Sequence, residues 1–585
     1  MRVNGEYDVI VAGSGGGGLR AAIGSAAAGA KTLVLCRGKS DRSGATLLAG
    51  ANISADIACD GGSLAELGIT DANKGDTKEK FFSDIIHEGF HLNNPKLVEI
   101  FVDQAPDRIR ELIDWGIEVL GTEGDRGISV FGSAILDVLH ARAASLGVEF
   151  REQRVLTDLV TDADGVCGVV CVDIVSGSIE AYGAKAVVMA SGGSHGLFRH
   201  NSGSTDLCGE GIGAAFRAGA ELVDMEMISF CPAVIERPGI YEGNILPYIF
   251  LTLGFGTLRN RFGKTFTGRH LSPAMEELAL DSEWNKMLLS YAIQKEIGDG
   301  RGTMRGGVYF TLDRYPSNLF DELYHALPSL RTGIYKDIMA IFERGEAVAI
   351  SPAAHYFEGG IRIDEHAATS LPGLFAAGEC AGGMFGANRV SAATTEMLIE
   401  GAIAGPGAAK FAVCRNSVAM PKDRLDAIEG ELRRPFAASR GEDVLKLKET
   451  LRDAVSESLM VLRTQEKLDR AASLVHDVAS RLTSASVSTA SRAYNREWLD
   501  YLELRNMTPV AGAMLAAASM RTESRGVHVR QDHLVTDNVR FLGNIVVSGD
   551  ASECRLEPVK PCRIEAPGGV VSYIDGIEAA IEKLS

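Results

Sequence analysis

Asp8-Val9-Ile10-Val11-Ala12-Gly13-Ser14-Gly15-Gly16-Gly17-Gly18-Leu19 is the stretch on which the fold turns. Its first five residues form a short apolar run rich in β-branched side chains, the composition of a buried strand. An alanine-rich segment from Leu19 to Ala28 reads as a helix, and Thr32-Leu33-Val34-Leu35 as a second strand. Gly13, Gly15 and Gly18 fit G-x-G-x-x-G between that strand and that helix. In such a turn the first glycine allows the tight bend, the second lets backbone approach a pyrophosphate, and the third lets helix and strand pack closely. The helix N-terminus adds free N–H groups and a positive dipole end. The stretch therefore predicts a Rossmann-type βαβ unit that binds a dinucleotide. The carboxylate that usually closes the second strand is missing: Cys36 stands there, followed by Arg37. The ribose contact must come from backbone or another side chain, and these glycines alone leave NAD and FAD open.

Outward from this unit the texture changes several times. Residues 80–150 read as amphipathic helices, and residues 150–192 alternate as strands do, ending in Ala186-Val187-Val188-Met189-Ala190. Between 233 and 350 arginines and lysines alternate with glycine turns, the pattern of a separate inserted domain. Residues 351–423 return to strands and glycine turns, 424–530 are helical, and 531–585 look extended. A chain of 585 residues is too long for one core. The expected division is 1–232 and 351–423 as two parts of one α/β domain, 233–350 as an α+β cap, then a helical domain and an extended C-terminal segment.

The formal net charge of −18 argues against nucleic acid and anionic membrane surfaces as partners. No apolar run reaches the ~18–20 residues of a membrane span. The first apolar stretch runs straight into the turn glycines and does not read as a signal peptide, so the cytoplasm is the expected compartment. Ten cysteines are scattered without a CxxC pair or the spacing of a zinc or iron–sulfur site, so no metal is expected.

Three later stretches resemble the flavoprotein subunits of the fumarate reductase and succinate dehydrogenase superfamily, which includes L-aspartate oxidase. The first is Ala190-Ser191-Gly192-Gly193, continued by Gly209-Glu210-Gly211-Ile212-Gly213 and by Ala218 to Glu226. The second runs from Ser351-Pro352-Ala353-Ala354-His355-Tyr356-Phe357-Glu358-Gly359-Gly360 through Pro372 to Glu379 and Gly386-Ala387-Asn388-Arg389. The third is Arg521-Thr522-Glu523-Ser524-Arg525-Gly526-Val527-His528. The resemblance implies FAD, a Rossmann-type FAD-binding domain interrupted by a cap, and a helical C-terminal domain. It places Gly13, Gly15, Gly18, Cys36, Gly44 and Ala45 along the cofactor. Gly192, Asp224, Glu379 and Arg389 join them, with Glu379 holding the adenosine-side ribose.

The departures from the family pattern carry further implications. Gly44 occupies the position where succinate dehydrogenases carry the histidine that bonds to flavin, so the FAD is expected to be non-covalent. His355 and Arg389 match the family residues that bind a substrate carboxylate, and an arginine fork suits that task. Cys231-Pro232-Ala233, Tyr248-Ile249 and Phe385 replace polar family residues, so the second carboxylate site looks dismantled and plain fumarate or succinate becomes an unexpected substrate. Lys286 falls where the family has its proton-donating arginine, with Arg269, Arg259 and Tyr248 as substitutes.

The resulting expectation is an FAD-dependent oxidoreductase that reduces or forms an activated C–C double bond in a carboxylate-bearing substrate. Hydride would pass at flavin N5, with a cap residue as proton donor. The alternatives are an oxidase of the L-aspartate oxidase kind and the flavoprotein component of a larger complex. With no cluster ligands in the chain, an external electron carrier or an iron–sulfur subunit is the expected redox partner, and a homo-oligomer stays open.

Overall fold

The computed structural model describes residues 1–54, 76–123, 126–204, 206–246, 249–252, 254–281, 284–313, 315–326, 333–389, 393–415, 418–437 and 440–584. Strand β1 (Val3–Ala12), helix α1 (Gly16–Ala27) and β2 (Thr32–Leu35) form the predicted βαβ start. Val9, Ile10 and Val11 are fully buried, because β1 lies inside a sheet covered on both faces. β3 (Glu149–Arg151), β4 (Arg154–Asp162), β5 (Gly165–Asp173) and β6 (Ile179–Met189) complete most of that sheet. The order β3-β2-β1-β6 is parallel, and β5 and β4 continue it antiparallel from the first half of β6.

Helix α2 (Glu210–Arg217) and the short β7 (Leu222–Val223) lead to β8 (Ile228–Arg237). β9 (Gly256–Arg259), helix α3 (Asn285–Glu296), β10 (Val308–Leu312) and β11 (Val348–Phe357) follow. The cap sheet runs β8-β11-β10-β9. It is entered along β8 and left along β11, and these strands pair antiparallel with Cys231 opposite Ala353. His355 therefore lies near the end of the last cap strand, β11. β12 (Gly360–Arg362), β13 (Leu374–Ala376) and β14 (Ala381–Gly382) come next. β13 pairs parallel with the second half of β6, Leu374 opposite Val187.

Helix α4 (Ala393–Val413) packs along α1 at backbone contact. A Cβ on Gly401 would stand 2.5 Å from the Gly17 carbonyl oxygen, and one on Gly405 2.0 Å from that of Ala21. Only glycine permits so close an approach. The helical domain contains α5 (Val444–Ser458), α6 (Gln465–Leu482) and α7 (Arg496–Met520). The architecture is thus the expected α/β class, with an FAD-binding-type sheet, a cap and a C-terminal helical domain.

The C-terminal segment departs from an extended reading. β15 (Gly543–Ser548) and β16 (Glu553–Pro558) form a hairpin that joins β7, β12 and β14 in one sheet. The chain then ends in helix α8 (Tyr573–Ile581). Ser572 caps it by accepting a hydrogen bond from Asp575 N, and Tyr573 and Ile577, four apart, are buried. The prolines at 558, 561 and 567 obscure this short amphipathic helix in the sequence.

The third motif, Arg521 to His528, is the pin between domains. Arg521 donates to Glu226, Glu523 and the carbonyls of Phe541 and Gly543, all in the interior. Arg525 grips Glu523 with two bonds of 2.8 and 2.9 Å. Arg463 faces His528 Nδ1 at 2.7 Å, which fixes that nitrogen as the acceptor and holds the imidazole neutral. Removing one member strands the others in low dielectric. Arg521→Ala is expected to cost about 3–5 kcal/mol, read as a lowered urea midpoint. An unchanged midpoint would contradict the pinning role.

Candidate active site

The cradle for a dinucleotide is built from glycines with two different reasons to be glycine. Gly13 has φ +118°, and a Cβ there would lie 2.1 Å from the Ala190 carbonyl oxygen. A Cβ on Gly18 would lie 2.0 Å from the Gly13 carbonyl oxygen. Both are demanded by packing of β1, α1 and β6. Gly15 is different: a Cβ there meets nothing nearer than Thr46 Oγ1 at 3.6 Å. Gly44, with φ +83°, also faces open space within 4 Å. Among the described residues, protein packing does not explain Gly15, whereas a ligand passing close to the backbone does. Ala45 begins a short helix, Ala45–Leu48, whose Thr46 accepts a hydrogen bond from Gly16 N at 3.2 Å. Gly44 and Ala45 thereby stand at the N-terminus of α1, which carries no acidic residue in its first turn.

Buried polar atoms mark the same cleft. Ser191 and Ser194 hydroxyls, beside Gly192 (φ +76°) and Gly193, have no hydrogen-bond partner among the described residues. The backbone-lined gap, the helix end and these hydroxyls fit the pyrophosphate and polyol of FAD.

Three of the expected cofactor contacts have protein partners of their own. Cys36 does sit at the end of β2, but its buried thiol, pushed up to about 11 by burial, donates at 3.6 and 3.7 Å to the carbonyls of Gly38 and Arg151. Arg37 pairs with Glu210 and Glu503. Asp224 is engaged by the fold. Its carboxylate accepts from Ile545 N at 3.0 Å and from Asn544 Nδ2 at 2.6 Å, tying the turn after β7 to β15. Glu379 follows β13, three strands from β2 in the order β2-β1-β6-β13, a separation of about 14 Å. At that remove from β2 it lies beside Gly193 and His195. There it accepts from Gly193 N at 3.1 Å and Phe357 N at 3.4 Å, with His195 Nε2 3.6 Å away.

Beyond Glu379 the expected substrate residues converge. Arg389 is buried, and its guanidinium lies 3.4 Å from the Tyr356 ring centroid. Tyr356 donates its hydroxyl to Glu396. Glu358 Oε2 is 3.5 Å from Arg389 Nε. His355 faces Ser202 Oγ through Nδ1 at 2.7 Å, and its carbonyl accepts from His195 at 2.8 Å. Burial first, then the charges of Lys286 and Arg389, pull the His355 pKa well below its usual range. It is a neutral imidazole at pH 7. Lys286, at the start of α3, is buried and not a solvated helix lysine. Its stem lines a small void shared with Phe230, Ser290, Val527 and Tyr573.

The substitutes for Lys286 point elsewhere. Arg259 pairs with Asp313, and Arg269 is half exposed beside Glu296. Tyr248 lies outside the described residues. Sequence reasoning missed the acids around Arg389. Burial raises Glu396 to about 7 and Glu358 to about 8, and raises Glu400, whose carboxylate accepts from Gly378 N, well above the usual carboxylate range. Of the three, only Glu358 falls inside a family-like motif.

This is the site of a capped, FAD-dependent flavoprotein. The FAD binding domain family matches residues 8–395, and the family described as fumarate reductase flavoprotein C-term matches residues 448–569. A fumarate reductase (CoM/CoB) polypeptide of Methanothermobacter marburgensis is 30% identical, with 90% of this chain and 94% of that one covered. L-aspartate oxidase of Streptomyces coelicolor is 29% identical over 92% of this chain and 91% of that one. The FrdA chain of the E. coli quinol fumarate reductase superposes with a TM-score of 0.85 at 24% identity, covering 97% of this chain and 99% of that one. The chain belongs to the fumarate reductase/succinate dehydrogenase flavoprotein family, whose members are oxidoreductases acting on CH–CH bonds. Its cofactor is FAD, and Gly44 offers no atom for a covalent link. Among the described residues no helix is long and apolar enough to cross a membrane.

Acid precipitation is therefore expected to leave FAD in the supernatant; yellow colour retained in the pellet would contradict a non-covalent cofactor. Gly15→Val should fold as the apoprotein, given the space at that position, yet lose most of its FAD on purification. Full FAD content in that variant would remove Gly15 from the cradle.

Proposed function

We propose that this protein reduces, or in reverse forms, an activated C–C double bond in a small carboxylate-bearing molecule. FAD in the cleft supplies the two-electron hydride chemistry. Arg389 and His355 bind the substrate carboxylate, and Lys286 delivers or removes the proton at the neighbouring carbon. The observation that carries this reading is the convergence of Lys286, Arg389 and neutral His355 beside the Gly193–Glu379 contact. A neutral imidazole can donate one hydrogen bond to a carboxylate without adding a second full charge. Arg389 supplies the charge and the fork geometry. Lys286, a buried amine on the cap helix, is the group placed to pass a proton to the neighbouring carbon.

The relatives named as fumarate reductase subunits support a second element, an external electron carrier or iron–sulfur partner. The nine cysteines described are all free thiols. The L-aspartate oxidase relative supports an oxidase variant of the same chemistry.

Reoxidation of the reduced, oxygen-free protein by a panel of unsaturated mono- and dicarboxylates tests the reading. Prompt reoxidation by at least one enoate is expected; none across the panel would overturn it. Lys286→Met should slow that reoxidation by about 10²–10⁴-fold, the usual worth of a general acid, while carboxylate affinity stays nearly unchanged. An unaltered rate would take Lys286 out of the reaction.

A further inference from the structure

Glu358 is the buried charge that the proposed chemistry leaves unused. It follows directly on β11, with a side chain 0% exposed. Neither of its carboxylate oxygens has a hydrogen-bond partner among the described residues. Its cationic neighbour is Arg389, at 3.5 Å and so in an ion pair without a hydrogen bond. Lys286 also faces it from α3, Glu396 from α4, and Glu379 from the turn after β13. Tyr356 lies under the same guanidinium, held in place by Glu396.

A carboxylate arriving at Arg389 meets a guanidinium that already has a carboxylate beside it. With Glu379 and Glu396 also close and Lys286 the second cation, an added carboxylate leaves net negative charge around Arg389, which is strongly disfavoured in low dielectric. Adding a proton to one of the carboxylates removes the conflict. Glu358 is the anion with the fewest stabilising contacts. Glu379 accepts two backbone hydrogen bonds and Glu396 one from Tyr356, whereas Glu358 accepts none among the described residues.

We propose that Glu358 is a positioning residue that competes with the substrate for Arg389, so that an anionic substrate binds only when Glu358 is protonated. The inference rests on Arg389 being the carboxylate anchor. In the step itself Glu358 takes one proton from solvent; no bond to the substrate forms or breaks, and no electron moves. The carboxylic acid then lies beside the bound anion, able to donate to it.

The sign of the pH dependence follows. Burial, opposed by Arg389, pushes Glu358 up to about 8 in the free site. Below that pH the acid is already protonated and affinity for a carboxylate is flat. Above it, binding must draw a proton from solution, and affinity falls by up to about tenfold per pH unit. A neutral ligand of the same shape shows no such slope.

The test uses the FAD-loaded full chain, with propanoate as the anionic probe and propanamide as its neutral counterpart. Binding is read from the visible spectrum of the oxidised flavin between about pH 6 and pH 10, which brackets the titration. The expected result is a propanoate Kd that is constant at low pH and rises above about 8, with propanamide flat. Glu358→Gln should remove the rise and hold the low-pH affinity throughout. Proton uptake by the unmutated protein, followed with an indicator dye in weak buffer on the alkaline side, should approach one per propanoate bound and zero per propanamide. The same slope in Glu358→Gln, or no proton uptake, overturns the inference while leaving the anchor intact. Propanoate that binds no better than propanamide, or equally well in Arg389→Gln, overturns the anchor itself.

Discussion

The guanidinium of Arg521 cannot leave the interior without stranding two carboxylates. It is held by Glu226 just before the cap strand β8, by Glu523 beyond α7, and by the backbone of β15. One buried cation thus joins the entrance to the cap, the helical domain and the C-terminal hairpin. Its worth is less in net stability than in specificity, since alternatives that separate these segments leave unpaired charge in low dielectric. Arg463 and His528 extend the pin to α6, with the imidazole held neutral as hydrogen-bond acceptor. Lys286 on the cap helix α3 thereby meets His355 on the cap strand β11 and Arg389 beyond β14.

Charge governs the active site by the same rule, with the balance left open. Arg389, Lys286 and His355 lie near Glu358, Glu379 and Glu396, with His355 and Glu379 half-buried and the other four buried. Arg389 is stacked on the Tyr356 ring, and its contact with Glu358 is an ion pair without a hydrogen bond. A guanidinium oriented by a ring face can turn its fork to a ligand. The fold domain closes its charges on one another, and the site keeps a charge in reserve.

Much of this is legible in the sequence because local rules and tertiary demands agree there. Gly13 and Gly18 announce the βαβ turn, and a Cβ at either would collide with backbone. Other features depend on contacts between distant segments. Gly401 and Gly405 look like ordinary helix glycines until α1 is laid against them. Asp224 sits in a family motif, and its sheet contact with Ile545 appears only when β15 is laid beside β7. Glu379 has the residue type of a ribose ligand, and strand order sets it three strands from β2. Residue type points to function, whereas position along the sheet decides which function.

The central claim is that a carboxylate is held at Arg389 and His355 under Lys286 and against the flavin. A crystal structure of the FAD-loaded protein soaked with an unsaturated monocarboxylate tests it most directly. The carboxylate is expected within hydrogen-bond distance of the Arg389 guanidinium and of His355, with Lys286 Nζ facing the double bond. A carboxylate bound away from Arg389, or an Arg389 that keeps Glu358 and turns from the ligand, would contradict it.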